Sequence, residues 1–340
     1  MASVPALSID AIECFGKKTI STPLIGFCAE RGISLVLLSE RGNFMARVEG
    51  PVSGNVLLRK RQYESLNNQD FSAAFVRNLL MAKLRNSKTV LLRSARSEEA
   101  GDTALYDAAG RLSELAKTLR DTESIDSMRG IEGAAASIYF LCFDRMLGVS
   151  CPFRFETRSR RPPKNEVNAA LSFVYALLRR EVTSALESVG LDPAAGYLHT
   201  LRPGRPSFSL DLMEELRGPM CDRFVLTLFR RKQLSATQFE SYEEAVYLNE
   251  KGRRTVLSAW QKRLRKVSKL CERCGLRVQN SVFELLIDAA QLATLKAELA
   301  ATIDHGHDSI RFYRLGSNYK NRIDAIGRTD RVQTGEPILL

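Results

Sequence analysis

Apolar residues recur at more than one spacing along this chain, and the changes of spacing divide it. Up to about residue 48 the apolar runs are short. Ala11 to Phe15 is one such run, and Pro23 to Glu30 has helical character that stops at Gly32. Ile33 to Leu38 reads as a buried strand, Glu40 to Asn43 as a turn, and Phe44 to Val48 as another strand. This is a small β-rich unit, too short to bury a good core by itself. Glu49 to Gly54 (EGPVSG) reads as a linker. From Asn55 to about Leu191 apolar residues recur at three and four, the helical period. The break in that pattern is the loop CPFRFETRSRRPPKN, residues 151 to 165. Val167 to Val189 then sets Leu171, Val174, Leu178 and Val182 on one stripe. Leu210 to about Arg231 is helical, Asn249 to Gly252 reads as a turn, and a basic helix runs from about Thr255 to Cys274.

The pattern then changes again. Leu276 to Ile287 alternates as a strand does, and Ala289 to Ile303 is a helix with Leu292, Leu295, Leu299 and Ile303 spaced by three and four. Ser309 to Leu315 reads as a further strand. Strand, helix and strand after a long helix make a small α/β unit. The expected fold class is α+β. Residues 1–50 form a small N-terminal β-rich domain, 51–263 a large all-α domain, and 264–340 a small α/β unit. No internal repeat interrupts this order.

Composition narrows the function. The 340 residues suffice for two or three domains, and 44% hydrophobic residues can fill a sizeable core. Lysine and arginine number 50 against 39 acids, a net charge of +11. A chain that basic points to a polyanion partner, nucleic acid first, with a basic but non-binding surface as the alternative. Seven scattered cysteines imply a reducing compartment rather than a disulfide framework. Cys271 and Cys274 form a CxxC, but no further pair has zinc spacing, so the motif is read as incidental. No apolar run approaches the ~18 residues of a membrane span. The N-terminus lacks the charged start and apolar run of a signal peptide. The expected location is the cytoplasm, with no membrane partner.

The candidate chemistry gathers around few residues. Asp211 and Glu214 lie three apart, on one helix face. Two like charges there repel unless a cation sits between them, and either Arg217 or a divalent metal fills that role. Glu132 shares a helical face with Ala136, Tyr139 and Phe140, where an ionised carboxylate is costly unless paired or metal-bound. His199 adds an imidazole. Two carboxylates and a histidine suit Mg²⁺ or Mn²⁺ with room for substrate oxygens. The plain alternatives are a solvated acidic helix, a Glu132–Arg129 pair and a structural histidine. The loop bearing Arg154, Arg158, Arg160, Arg161 and Lys164 carries Phe153 and Phe155 among its charges, which suits a phosphate backbone. Lys262, Arg263, Arg265, Lys266 and Lys269 on the basic helix, and Arg230 to Lys232, are as easily solvated faces.

Four ordered segments resemble the CRISPR-associated integrases that capture spacers, the Cas1 family, in a subtype I-C-like form. They are FCAERGISLVLLSERGNFMARVEGPVSGNVLLRKRQY, RGIEGAAASIYF, RFETRSRRPPKNEVNAALSFVYALL and GYLHTLRPGRPSFSLDLMEELR. The resemblance spans roughly residues 10 to 263 and implies a β domain ahead of a helical catalytic domain. Carried over by motif, the family's metal ligands fall on Glu132, His199 and Glu214, with Asp211 as the neighbouring catalytic acid. Arg154, Arg158, Arg160, Arg161, Lys164 and Arg217 form the expected DNA-contacting set. The family usually begins with a β hairpin of about thirty residues that has no counterpart here, in keeping with the small size of 1–48. Beyond about residue 263, RLRKVSKLCERCGLRVQNSVFELLID and DSIRFYRLGSNYKNRIDAIG are similar to the family's small ferredoxin-like partner, Cas2, without its first strand.

The resemblance implies a metal-dependent endonuclease and integrase of CRISPR adaptation. In that chemistry a 3′-hydroxyl of captured double-stranded DNA attacks a phosphodiester of the repeat array, in a homodimer bound to the small partner. Residues 264–340 would supply part of that partner in cis. The rival readings are a non-catalytic DNA-binding assembly protein and an inactive fusion of two adaptation genes.

Overall fold

The computed structural model describes residues 9, 11–31, 33–39, 44–48, 56–96, 102–272, 275–279, 282–285 and 288–302. The expected linker, the 40–43 turn and the strand at 309–315 lie outside these residues. The chain divides into two compact units, 1–257 and 258–340.

The first unit begins with a three-stranded sheet ordered β1 (Ala11–Phe15), β2 (Ser34–Leu38), β3 (Phe44–Val48). β1 runs parallel to β2, and β3 antiparallel to it. The run at 11–15 is thus a strand. A parallel pair needs a crossover, and α1 (Thr22–Glu30) provides it. Ser21 caps α1 by accepting the Leu24 N–H, and Pro23 sits in its first turn, where a missing N–H costs nothing.

The helical body follows as α2 (Val56–Leu66), α3 (Gln69–Arg96), α4 (Thr103–Arg120), α5 (Ile125–Leu141), α6 (Phe143–Leu147), α7 (Glu166–Ser188), α8 (Ser207–Leu216) and α9 (Arg223–Arg230). α3 is the central element and packs along α4, α5 and α8. It buries Val76, Leu79, Leu80, Leu84, Val90 and Leu91. The sequence stripe of α7 is correct: Leu171, Val174, Leu178 and Val182 are all buried. Between α8 and α9 the chain makes a π-helical turn over Arg217–Asp222, so the expected single helix is three pieces.

Sequence periodicity passed over the antiparallel hairpin of β4 (Phe239–Tyr242) and β5 (Ala245–Leu248). Residues 249–252 are not a turn but the start of α10 (Glu250–Glu272), whose Asn249 side chain accepts the Gly252 N–H at 3.0 Å. In the second unit the 276–287 stretch is two strands, β6 (Gly275–Gln279) and β7 (Val282–Leu285), paired antiparallel. α11 (Ala289–Thr302) follows, with Leu295 and Leu299 buried. Among the described residues no helix is long and apolar enough to cross a membrane.

Candidate active site

α8 carries Asp211 and Glu214 on its buried face, 0% and 4% exposed. Asp211 is turned towards the loop that precedes α8. One carboxylate oxygen accepts the backbone N–H groups of Tyr197 at 2.6 Å and Leu198 at 2.9 Å. The other accepts the His199 N–H at 2.9 Å and lies 2.6 Å from His199 Nδ1. The loop between α7 and α8 is therefore wound onto a single carboxylate. A carboxylate at Nδ1 orients the ring, and in a neutral imidazole it favours the tautomer with the lone pair on Nε2. That nitrogen faces Glu214 Oε1 at 3.7 Å.

The loop is also held from behind. Gln62 on α2 donates to the Asp192 carbonyl at 2.9 Å and accepts the Asp192 N–H at 2.8 Å. Tyr63 donates to the Asp192 carboxylate at 2.5 Å. Phe75, Tyr197 and Phe208 pack ring against ring beneath it. Gly196 passes so close to α8 that a Cβ there would lie 2.6 Å from the Ser207 carbonyl carbon, so only glycine fits.

Two cations meet Glu214. Lys83, from α3, donates to Oε2 at 2.6 Å, and Arg217 donates to Oε1 at 2.7 Å. Burial pushes the Glu214 carboxyl up, but the Arg217 guanidinium and the Lys83 ammonium outweigh it and hold the pKa at about 2. The same ammonium is bonded to Glu132 on α5. Lys83 thus stands at the point where the carboxylates of two helices converge. Arg129 does not pair with Glu132: it pairs with Asp126 and donates to the Leu198 carbonyl at 2.9 Å.

The donor set fits a hard divalent ion. Glu132 and Glu214 share one cation, and the His199 imidazole lies beside Glu214. Among the described residues, however, no three His, Cys, Asp or Glu side chains already surround one point at ligand distance. A metal between Glu132 and Glu214 would take the place of the Lys83 ammonium.

The basic loop is more ordered than a solvated segment. Phe153 and Phe155 do not face outward for bases to stack on. Phe155 packs on Phe143 with centroids 4.7 Å apart, and Phe153 on Phe229 at 4.9 Å. Asp144 accepts the Phe155 N–H at 2.7 Å. With its rings inside, the loop presents Arg154, Arg160, Arg161 and Lys164 to solvent. Arg158 turns inward and donates to Asn168 at 2.8 Å and Ser172 at 3.2 Å. Arg217 is likewise internal, 15% exposed and tied to Glu214. On the basic helix Lys262 is exposed and Arg263 half-buried, while the Cys271–Cys274 motif falls on side chains outside the described set.

Sequence reasoning missed Lys83, Tyr175 and Asp222. A lysine in the middle of a long helix has no local signal for two carboxylates that arrive 49 and 131 residues later. Tyr175 Oη donates to Asp222 Oδ1 at 2.6 Å, a pairing 47 residues apart that periodicity cannot show.

The chain matches the family described as CRISPR associated protein Cas1 over residues 1–262, and that described as CRISPR associated protein Cas2 over 257–323. Two relatives bear the name CRISPR-associated endonuclease Cas1. The one from Rhodospirillum rubrum is 46% identical over 268 residues, 76% of this chain and 77% of its own. The one from Moorella thermoacetica is 44% identical over 264 residues, again 76% and 77%. Among solved structures, a Cas1 protein from Thermotoga maritima superposes with a TM-score of 0.68 at 26% identity, covering 77% of this chain and 82% of that one. A casposase bound to an integration product shares the fold at 22% identity, with a TM-score of 0.67 over 93% and 86% of the two chains.

Proposed function

The chain belongs to the Cas1 family and carries a Cas2-family segment at its C-terminal end, and from that premise we propose that it is a metal-dependent DNA endonuclease and integrase of spacer acquisition. The observation that carries this reading is that Glu132 of α5 and Glu214 of α8 share the Lys83 ammonium, with His199 Nε2 3.7 Å from the other Glu214 oxygen. The names of the relatives support it.

Glu132, His199 and Glu214 would hold Mg²⁺ or Mn²⁺. The bound ion supplies Lewis-acid stabilisation of the charge that builds on the phosphate in the transition state. Everything else is done by the chain. Asp211 keeps the His199 proton on Nδ1, so that Nε2 is free to donate its lone pair. Arg217 fixes one oxygen of Glu214. Lys83, which bridges the two carboxylates here, would give way to the ion. Arg154, Arg160, Arg161 and Lys164 hold backbone phosphates without reading sequence.

In the reaction, the 3′-oxygen of the captured DNA forms a new P–O bond to a repeat phosphodiester. The bond from that phosphorus to the repeat strand's own 3′-oxygen breaks, and the proton lost by the attacking hydroxyl is matched by one gained on the leaving oxygen. Water in place of the hydroxyl gives hydrolysis at the same site. The assembly proposed is a homodimer with a ferredoxin-like partner, to which residues 264–340 contribute.

The test is strand transfer of a 3′-hydroxyl DNA with Mn²⁺ or Mg²⁺. Glu132→Ala and His199→Ala are expected to abolish product while leaving DNA binding, and unchanged product would overturn the site. Lys83 itself favours the second reading, a non-catalytic DNA-binding protein. An ammonium that no metal displaces would leave salt-sensitive DNA binding and no metal-stimulated product.

A further inference from the structure

Outside the carboxylate site, the molecule holds a second buried polar cluster. Its centre is Tyr175 on α7. The Arg217 guanidinium lies over the Tyr175 ring, 5.3 Å from its centroid, and so does that of Arg158, also at 5.3 Å. Cations this close to a ring face are attracted to it. The Tyr175 hydroxyl donates to Asp222 at 2.6 Å, and Asp222 is only 3% exposed.

The backbone is built to allow this. Arg217 and Asp222 are the first and last residues of the π-helical turn. In an α-helix, residues five apart point about 140° away from each other. The wider π turn brings them round towards one side, and both here meet the same tyrosine. Such turns inside α-helices are frequent at functional sites.

Each end of the cluster leads somewhere. Arg217 ends on Glu214 at 2.7 Å. Arg158 ends on the basic loop, donating to the Ser159 carbonyl at 2.5 Å, next to the exposed Arg160 and Arg161.

We propose that Tyr175 and Asp222 are positioning residues for strand transfer, holding Arg217 against Glu214 and, through Arg158, coupling Glu214 to the phosphate-contacting loop. This rests on the functional reading above. Neither residue touches the reacting atoms. Tyr175 sets the height and angle of the Arg217 guanidinium, and Asp222 fixes the tyrosine. A phosphate bound by Arg160 or Arg161 draws on the peptide that Arg158 holds, and the displacement passes to the same ring. Loss of outer-shell partners of this kind commonly weakens a metal site about 10–100-fold.

The experiment uses the full chain and two variants, Tyr175→Phe, which keeps the ring, and Tyr175→Leu, which removes it. Three quantities are measured: Tm, Mn²⁺ affinity by calorimetry with and without short duplex DNA, and the kcat and KM of strand transfer. Tyr175→Phe is expected to keep its Tm within a few degrees, to bind Mn²⁺ about tenfold more weakly and to lose kcat about tenfold at unchanged KM for DNA. In the wild type, duplex DNA tightens Mn²⁺ binding, and Tyr175→Leu loses that gain. A merely structural tyrosine would lower Tm and leave Mn²⁺ affinity and kcat of the folded protein unmoved, which overturns the proposal. So does a wild type whose Mn²⁺ affinity ignores DNA. A wild type that binds no Mn²⁺ overturns the functional reading and this proposal with it. One that binds Mn²⁺ while Tyr175→Phe matches it overturns this proposal alone.

Discussion

Glu214 is buried and ionised, and both facts have consequences at the scale of one residue. Its carboxyl is held at about 2 against an ordinary 4.5, because Arg217 and Lys83 outweigh the cost of burial. The folded pKa is the lower one. Glu214 therefore contributes stability that is present above about pH 4.5 and lost as pH falls through 2, on the order of 3 kcal/mol. Acid titration of metal-free protein by chemical denaturation should show that loss, and Glu214→Gln should flatten it.

Asp222 has the opposite sign. Burial, only partly offset by Tyr175, raises it from 3.8 to about 6. Its contribution is present below about pH 3.8 and disappears as pH rises through 6. Asp222→Asn should remove that second slope.

Lys83→Met leaves Glu132 and Glu214 without their shared cation, so the apo protein should melt at lower temperature. Saturating Mn²⁺ should then raise Tm by more than it does in wild type, because no ammonium has to be displaced. Thermal melts with and without Mn²⁺ measure it, and an equal or smaller metal shift would show that Lys83 does not stand in the metal's place. At this scale the sequence made Glu132, His199 and Glu214 visible, through spacing and resemblance together. Lys83 was invisible because its partners lie on other helices. The role of Asp211, whose oxygens hold the 197–199 backbone and the His199 ring, needed the loop conformation.

At the scale of elements, the loop between α7 and α8 and the basic loop are both made rigid by what lies beneath them. Gly196→Ala must move either the loop or α8, since its Cβ would meet Ser207 backbone at 2.6 Å. Loss of stability together with loss of metal affinity is expected, read by melting and calorimetry. In the basic loop the two residue types separate. Phe155→Ala should cost about 3–5 kcal/mol of stability, whereas Arg160→Ala should leave Tm unchanged, weaken DNA binding and reduce the salt slope by about one ion.

The helical stripe of α7 was legible because its period is local. The burial of Phe153 and Phe155 was not, because a phenylalanine between arginines reads the same whether it faces a base or Phe143. The β4–β5 hairpin escaped for a related reason. Its turn is Glu243–Glu244, with a positive φ of 52° at Glu243 and none of the glycine or asparagine that marks such turns. The π turn left no trace at all, since its apolar spacing imitates a helix.

For the whole molecule, the charge of +11 has a structural counterpart in the exposed arginines and lysine of the basic loop. The end of the first resemblance near residue 263 agrees with the two family matches, which meet at 257–262. Both were legible because composition and resemblance are properties of long stretches.

The central claim is that Glu132, His199 and Glu214 form a working metal site for DNA strand transfer. It is tested most directly by incubating the full chain, Mn²⁺ and a 3′-hydroxyl DNA duplex with a supercoiled repeat plasmid, with and without an intact ferredoxin-like partner, and doing the same with Glu132→Ala. Metal-dependent joining is expected from the wild type and none from Glu132→Ala. Joining that survives in Glu132→Ala, or its absence from the wild type under every one of these conditions, would contradict it.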